Sequence, residues 1–272
     1  MRVLVGVVQM TSGGELAANL DKAAALVAEA ARRGAKLIVL PENFAFLGED
    51  EHAKFAVAEA VPGDGPILTA MRRAARAHEV ELVLGGMPEA ISATHVHNTS
   101  VYLDAGGEIR GVYRKIHLFD VAIPDGATYR ESASVAPGAE VVVVERPWGG
   151  VGLSICYDLR FPELYRGLVG QGARILTVPA AFTLHTGRDH WHPLLAARAI
   201  ENLAFVLAAA QFGRHNAKRV TYGHACIIDP WGQVLAEVGD HEGVAVAELD
   251  LEYQDRLRRE LPALEHRRIR GT

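Results

Sequence analysis

The feature that most limits what this chain can fold into is an internal repeat. Gly34-Ala35-Lys36-Leu37-Ile38-Val39-Leu40-Pro41-Glu42-Asn43-Phe44 matches Gly172-Ala173-Arg174-Ile175-Leu176-Thr177-Val178-Pro179-Ala180-Ala181-Phe182, and upstream Val5-Gly6-Val7 matches Val151-Gly152-Leu153. In the first copy Leu16, Leu20, Ala23, Val27 and Ala31 recur at helical spacing between two short apolar runs, and Gly34 is a natural stop. In the second, Pro162 opens a helical stretch over 162–171, as proline does in a first turn. Each copy therefore reads as strand, helix, strand, with parallel strands and a right-handed crossover. Two such units predict an α/β fold of two related sheets packed face to face with helices outside. In this register Met10 answers Cys156 and Ala180 answers Glu42, so chemistry would sit between the halves, each giving different groups.

The rest of the chain fills in around the repeat. Strands are expected over 3–10, 36–40, 80–85, 97–103, 108–113, 141–145, 174–178, 205–211, 222–228 and 244–249. Helices are expected over 49–60, 66–78 and 188–202, with Pro193 near the first turn of the last. Ser12 and Glu15 have the spacing of a capping box, Asp104-Ala105-Gly106-Gly107 reads as a hairpin turn, Asp229-Pro230-Trp231-Gly232 as another, and Asp250 as a helix cap. The stretch 118–139 has no strong period, and loops that long in a compact domain are usually functional or disordered. Nothing resembles a linker, so one domain over 1–272 is expected.

Composition excludes several classes. The net charge of −5 is interspersed, without the basic stripe that nucleic acid requires. The arginines 256, 258, 259, 267, 268 and 270 lie among acids and read as a solvated face or a subunit contact. Two cysteines give no disulfide framework. The first ten residues read as a strand rather than a signal peptide, and no apolar run approaches the ~20 residues of a membrane span. The expectation is a cytoplasmic protein. His185, His190 and His192 cluster, but no metal-ligand spacing frames them, so no metal or cofactor is expected. Cys226, between Ala225 and Ile227, reads as core.

Cys156 follows the strand of the second copy, where α/β sheets bind ligands. A thiol of pKa ~8.5 needs a base and a cation to act as a nucleophile. Glu42 and Lys115, each also at a strand end, supply them: a carboxylate to take the proton and an ammonium to favour the thiolate and hold an oxyanion. The backbone N–H of Tyr157 is a second oxyanion donor. No histidine is needed.

Three segments, Leu40-Pro41-Glu42-Asn43, Tyr113-Arg114-Lys115-Ile116-His117-Leu118-Phe119-Asp120 and Cys156-Tyr157-Asp158-Leu159-Arg160-Phe161-Pro162-Glu163-Leu164, resemble the nitrilase superfamily of carbon–nitrogen hydrolases. The likeness covers essentially the whole chain. It implies a Glu-Lys-Cys triad on Glu42, Lys115 and Cys156, a further glutamate at Glu131, an αββα four-layer sandwich, and an eight-layer homodimer or higher assembly pairing helix to helix. The run from Ala208 to Arg219 and Tyr222-Gly223-His224-Ala225-Cys226-Ile227-Ile228-Asp229-Pro230-Trp231-Gly232 are similar to the branch that hydrolyses deaminated glutathione. ω-Amidases acting on α-ketoglutaramate resemble this stretch less. Nitrilases proper usually carry Cys-Trp-Glu, and Cys156-Tyr157-Asp158 favours amides. The alternatives are α-ketoglutaramate, another small linear amide or N-carbamoyl compound, or a non-catalytic binding protein. For a carboxylate-bearing amide, Arg160 is the expected anchor, Tyr157, Phe182 and Thr183 would complete the substrate site, and Arg214 and Arg219 are further candidates for a peptide-side carboxylate.

Overall fold

A computed structural model describes residues 1–50, 52–122 and 128–269. The first repeat copy is β1 (Arg2–Met10), α1 (Leu16–Arg32) and β2 (Leu37–Val39). After it come α2 (Pro66–His78), β3 (Glu81–Ala90), β4 (Val96–Leu103), β5 (Ile109–Arg114), and a small hairpin of β6 (Asp120–Ala122) and β7 (Thr128–Arg130). The short β8 (Val143–Val144) leads to the second copy, β9 (Gly150–Leu153), α3 (Pro162–Gly170) and β10 (Ala173–Thr177). The chain closes with α4 (Leu184–Asn202), β11 (Phe205–Ala208), β12 (Ala210–Arg214), β13 (Val220–Tyr222), β14 (Cys226–Ile228), β15 (Val234–Glu237), β16 (Gly243–Asp250) and α5 (Leu251–Glu260).

One sheet runs β13-β12-β1-β2-β3-β4-β5, with β16 antiparallel to β1, and the other runs β15-β14-β11-β10-β9-β8. In both copies the strands are parallel, Val5 beside Leu37 and Val151 beside Ile175. The repeated glycines explain why the copies look alike. Gly34 and Gly172 end the crossover helices with φ of +92° and +98°, a backbone that favours glycine. Gly6 and Gly152 let those helices lie close: a Cβ on Gly6 would meet Ala30 at 3.2 Å, and one on Gly152 would meet Leu168 at 3.1 Å.

Alternation along the strands sets the layers. Val3, Val5, Val7, Leu37 and Val39 face the other sheet and join Leu153, Ile155, Ile175 and Leu207 in the central core. Val8, Met10, Ile38 and Leu40 point the other way and pack with Val27 of α1 and Met71 of α2. With α3 and α4 packed on the second sheet, the layers are helix, sheet, sheet, helix, the αββα sandwich.

Several local expectations are corrected. The helix over 49–60 is only a 3₁₀ turn, Ala53–Val57, because Glu59 is drawn into extended pairing beside β3 while its carboxylate takes the N–H groups of Ile67 and Leu68 at the start of α2. Ser12 does not cap α1: its hydroxyl donates to the Phe44 carbonyl at 2.9 Å, and Asn19 ties back to Gly13 instead. The helix expected at 188 begins a turn earlier at Leu184, capped by Thr183, so Pro193 lies inside it. The strand expected over 205–211 is two, β11 in one sheet and β12 in the other, and that over 222–228 likewise splits. Of the arginine-rich tail, Arg258 is not solvated: it donates to the carbonyls of Leu203 and Ala173. Arg270, and residues 123–127 of the long loop, lie outside the described residues.

Candidate active site

Both repeat strands run out at one end of the sandwich, and there the chain turns sharply. Cys156 has φ of +49°, a left-handed backbone that costs a β-carbon-bearing residue on the order of 1–3 kcal/mol. It is held there because its N–H donates to the Pro179 carbonyl at 2.9 Å, while the Ile155 N–H is capped by Asp158 at 2.8 Å. On the facing sheet Asn43, the residue after Glu42, also takes a left-handed conformation, φ +59°, and donates to Gly86. The two turns aim Glu42 and Cys156 at each other across the inter-sheet gap.

Lys115 leaves the end of β5 and is 2% exposed. Its Nζ lies 2.9 Å from Glu42 Oε1 and 3.0 and 2.9 Å from the two oxygens of Glu131. Glu131 sits on a 3₁₀ turn after β7 and also accepts from the Phe119 N–H at 2.7 Å. The other Glu42 oxygen accepts from the Ala181 N–H at 3.0 Å, in the second copy's counterpart of Glu42's own turn. Asn98 was not anticipated from the sequence. Its Nδ2 bridges the two carboxylates, 2.9 Å from Glu42 and 3.3 Å from Glu131. An asparagine inside a strand, where that residue is depleted, was the available signal.

Electrostatics follow from burial and charge. Burial opposes ionisation of Glu42, but the Lys115 ammonium, helped by Arg219, outweighs it and holds the carboxyl below its usual range. Burial likewise opposes the charge on Lys115, and Glu131 and Glu42 overcome it, keeping the ammonium protonated well above its ordinary range. Burial and then the Glu42 charge push the Cys156 thiol well up, against the pull of Lys115. The resting site is therefore carboxylate, ammonium and neutral thiol, with Glu42 as acceptor of the thiol's hydrogen bond.

A second buried carboxylate fixes the nucleophile turn. Asp158 is fully buried and accepts from Tyr113 Oη at 2.6 Å, from the Ile155 N–H, and from His117 through its backbone N–H at 3.1 Å and Nδ1 at 2.7 Å. It joins the segment that carries Lys115 to the turn that carries Cys156. Arg198 of α4 steadies the same turn by donating twice to the Leu159 carbonyl.

Glu42, Lys115, Glu131 and Cys156 line a cavity of about 970 Å³, together with Tyr157, Arg160, Phe182 and Thr183. The Arg160 guanidinium lies over the Phe182 ring at 5.2 Å and the Tyr157 ring at 6.0 Å, and meets His190 Nδ1 at 3.3 Å. Thr183 spends its hydroxyl on the N-terminus of α4. The remaining two arginines part company: Arg219 lines the cavity, while Arg214 is exposed and donates to the carbonyls of Asn216 and Ala217. Among the described residues no three acids, histidines or cysteines gather as a metal site, and His192 pairs with Glu237. Cys226 is buried in β14, where burial raises its thiol.

The chain belongs to the carbon–nitrogen hydrolase family, the nitrilase superfamily: the family model matches residues 4–259. It is a hydrolase of carbon–nitrogen bonds other than peptide bonds. It is 46% identical over 269 residues to a deaminated glutathione amidase of Synechocystis, covering 97% of each chain. The crystal structure of the NitFhit protein of C. elegans superposes with a TM-score of 0.92 at 41% identity, covering 98% of this chain and 65% of that one. Saccharomyces cerevisiae Nit3, a member of branch 10 of the superfamily, superposes with a TM-score of 0.89 at 30% identity, over 98% of this chain and 97% of the other.

Proposed function

We propose that the chain, as one domain over 1–272, is a thiol amidohydrolase that cleaves deaminated glutathione to 2-oxoglutarate and Cys-Gly through a thioester on Cys156. The observation that carries the mechanism is the buried ammonium of Lys115 held between Glu42 and Glu131 beside a protonated thiol. Glu42 takes the thiol proton as Sγ attacks the amide carbon. The carbonyl oxygen gathers negative charge, which Lys115 Nζ and the Tyr157 N–H stabilise. Collapse breaks the C–N bond, and Glu42 returns the proton to the departing amine. A water then gives its proton to Glu42 and attacks the thioester; the acid leaves and the proton goes back to sulfur. Glu131 keeps Lys115 charged and in place. The acyl group's own carboxylate meets Arg160, with Tyr157, Phe182 and Thr183 around it.

The substrate rests on the likeness to deaminated glutathione amidases and on a cavity of about 970 Å³, ample for a tripeptide-sized ligand. The test is kcat/KM for deaminated glutathione, glutathione itself and α-ketoglutaramate. Deaminated glutathione is expected to lead by at least tenfold. Equal or better turnover of α-ketoglutaramate would replace this substrate with a simple ω-amide.

The assembly belongs to the same reading: a homodimer or larger, through α3 and α4, in the cytoplasm. Ile200 on α4 and Trp231 in the turn after β14, whose next residue Gly232 lies against Ile200, are each 52% exposed. Light scattering that gave a monomer at micromolar concentration would refute it. No described helix is long and apolar enough to cross a membrane.

A further inference from the structure

The geometry assigns Arg219 as the anchor for a carboxylate on the leaving group, so that the site selects amides carrying an acid on both sides of the scissile bond. This rests on the functional reading above, which places the acyl carboxylate at Arg160.

Arg219 carries a donor that has no acceptor. Arg219 Nε is buried without a hydrogen-bond partner, and among the described residues the guanidinium forms no ion pair. Glu49 and Asp50 line the same cavity, yet neither pairs with it. A buried charged donor left unmatched in a cavity wall is what a bound anion would satisfy. The side chain is also held in position. Its guanidinium lies over the Tyr129 ring at 5.2 Å, next to the turn that bears Glu131. Its backbone closes a tight turn: the Arg219 N–H donates to Asn216 Oδ1 at 2.8 Å, and its carbonyl accepts from the His215 N–H at 3.0 Å. Little freedom remains to be lost when a carboxylate binds.

The side of the cavity gives the ligand. Asn216 Nδ2 donates to the Gly48 carbonyl at 3.1 Å, which ties the Arg219 turn to the loop that follows Glu42, and His215 Nδ1 meets the Ser12 carbonyl at 2.8 Å in the connection after β1. Arg160, by contrast, belongs to the turn of Cys156 itself. The amine must depart where Glu42 can return its proton, and that is the wall on which Arg219 stands. In Cys-Gly the group available to it there is the terminal carboxylate. The planar fork of an arginine suits that ligand through two parallel hydrogen bonds.

The test compares deaminated glutathione with its glycine carboxamide, which has the same acyl group and amide but no terminal charge. Wild-type enzyme should prefer the acid by about ten- to a hundredfold in kcat/KM, the loss expected for one charged hydrogen-bonded contact. Arg219→Met should abolish that preference, chiefly through KM, and Arg219→Lys should keep part of it. The ratio is taken on one preparation, so it does not depend on how much of a variant is folded. Equal losses on both compounds in Arg219→Met, or a wild type indifferent to the carboxamide, would overturn the assignment while leaving the amidase reading intact. A wild type that hydrolyses neither compound would overturn both.

Discussion

Replacing Glu42 by glutamine keeps the shape of the side chain and reverses half of its hydrogen bonding. Besides the thiol's hydrogen bond, the carboxylate accepts from Lys115 Nζ and Asn98 Nδ2 at 2.9 Å each and from the Ala181 N–H at 3.0 Å, and all of these partners are donors. A glutamine that turns its oxygen to Lys115 and Asn98 must turn its NH₂ to the Ala181 N–H. Two buried donors then face each other, each unsatisfied at roughly 1–3 kcal/mol. Lys115 keeps Glu131, so the cation is not stranded. The expected destabilisation is about 2–6 kcal/mol, or roughly 4–12 °C in Tm for a domain of this size. Loss of the base should separately lower kcat by about 10²–10⁴. The assay is initial-rate kinetics on the folded variant beside a thermal melt. A kcat within tenfold of wild type would refute Glu42 as base. An unchanged Tm with a collapsed rate would refute the hydrogen-bond argument and leave the catalytic one standing.

Three further outcomes follow. The acid limb of kcat/KM should lie below pH 4.5, because the ion pair holds Glu42 down and activity is lost only as pH falls through that lowered value; a limb above pH 5 would contradict the charge assignment. Burial pushes His215 down from 6.5 to about 4, so only the unfolded chain gains this proton between those values; stability is full above pH 6.5 and falls through the window by up to about 3 kcal/mol, a slope that Tm measurements of His215→Gln against wild type should show to be missing in the variant. Asp158→Asn cannot accept from all its donors, so it should loosen the Cys156 turn against the Lys115 segment, lowering kcat by about ten- to a hundredfold; an unchanged kcat would make that clamp irrelevant to the chemistry.

What could be read from the sequence and what could not divide along physical lines. The two-sheet architecture was legible because the repeat glycines answer local demands, a left-handed helix end at Gly34 and Gly172 and close helix approach at Gly6 and Gly152. The split between β11 and β12 was not, since an unbroken apolar run does not say which sheet takes each half. The 49–60 stretch misled because Glu59 is committed to partners in α2 and β3 far from its helical neighbours. In the site, strand ends pointed to Glu42, Lys115 and Cys156, whereas Glu131 came through family resemblance alone, its loop having no period to read. Asn98 and the difference between Arg219 and Arg214 depend on which residues meet across the fold, and no local pattern encodes that.

The central claim is that the acyl group passes through Cys156, and intact-mass analysis tests it most directly. Enzyme turning over deaminated glutathione, quenched in acid during the steady state, should carry a mass increase equal to the acyl group left after loss of Cys-Gly, and peptide mapping should locate it on Cys156. Cys156→Ala should show neither adduct nor turnover. Undiminished hydrolysis by Cys156→Ala, or an adduct on any other residue, would contradict the account.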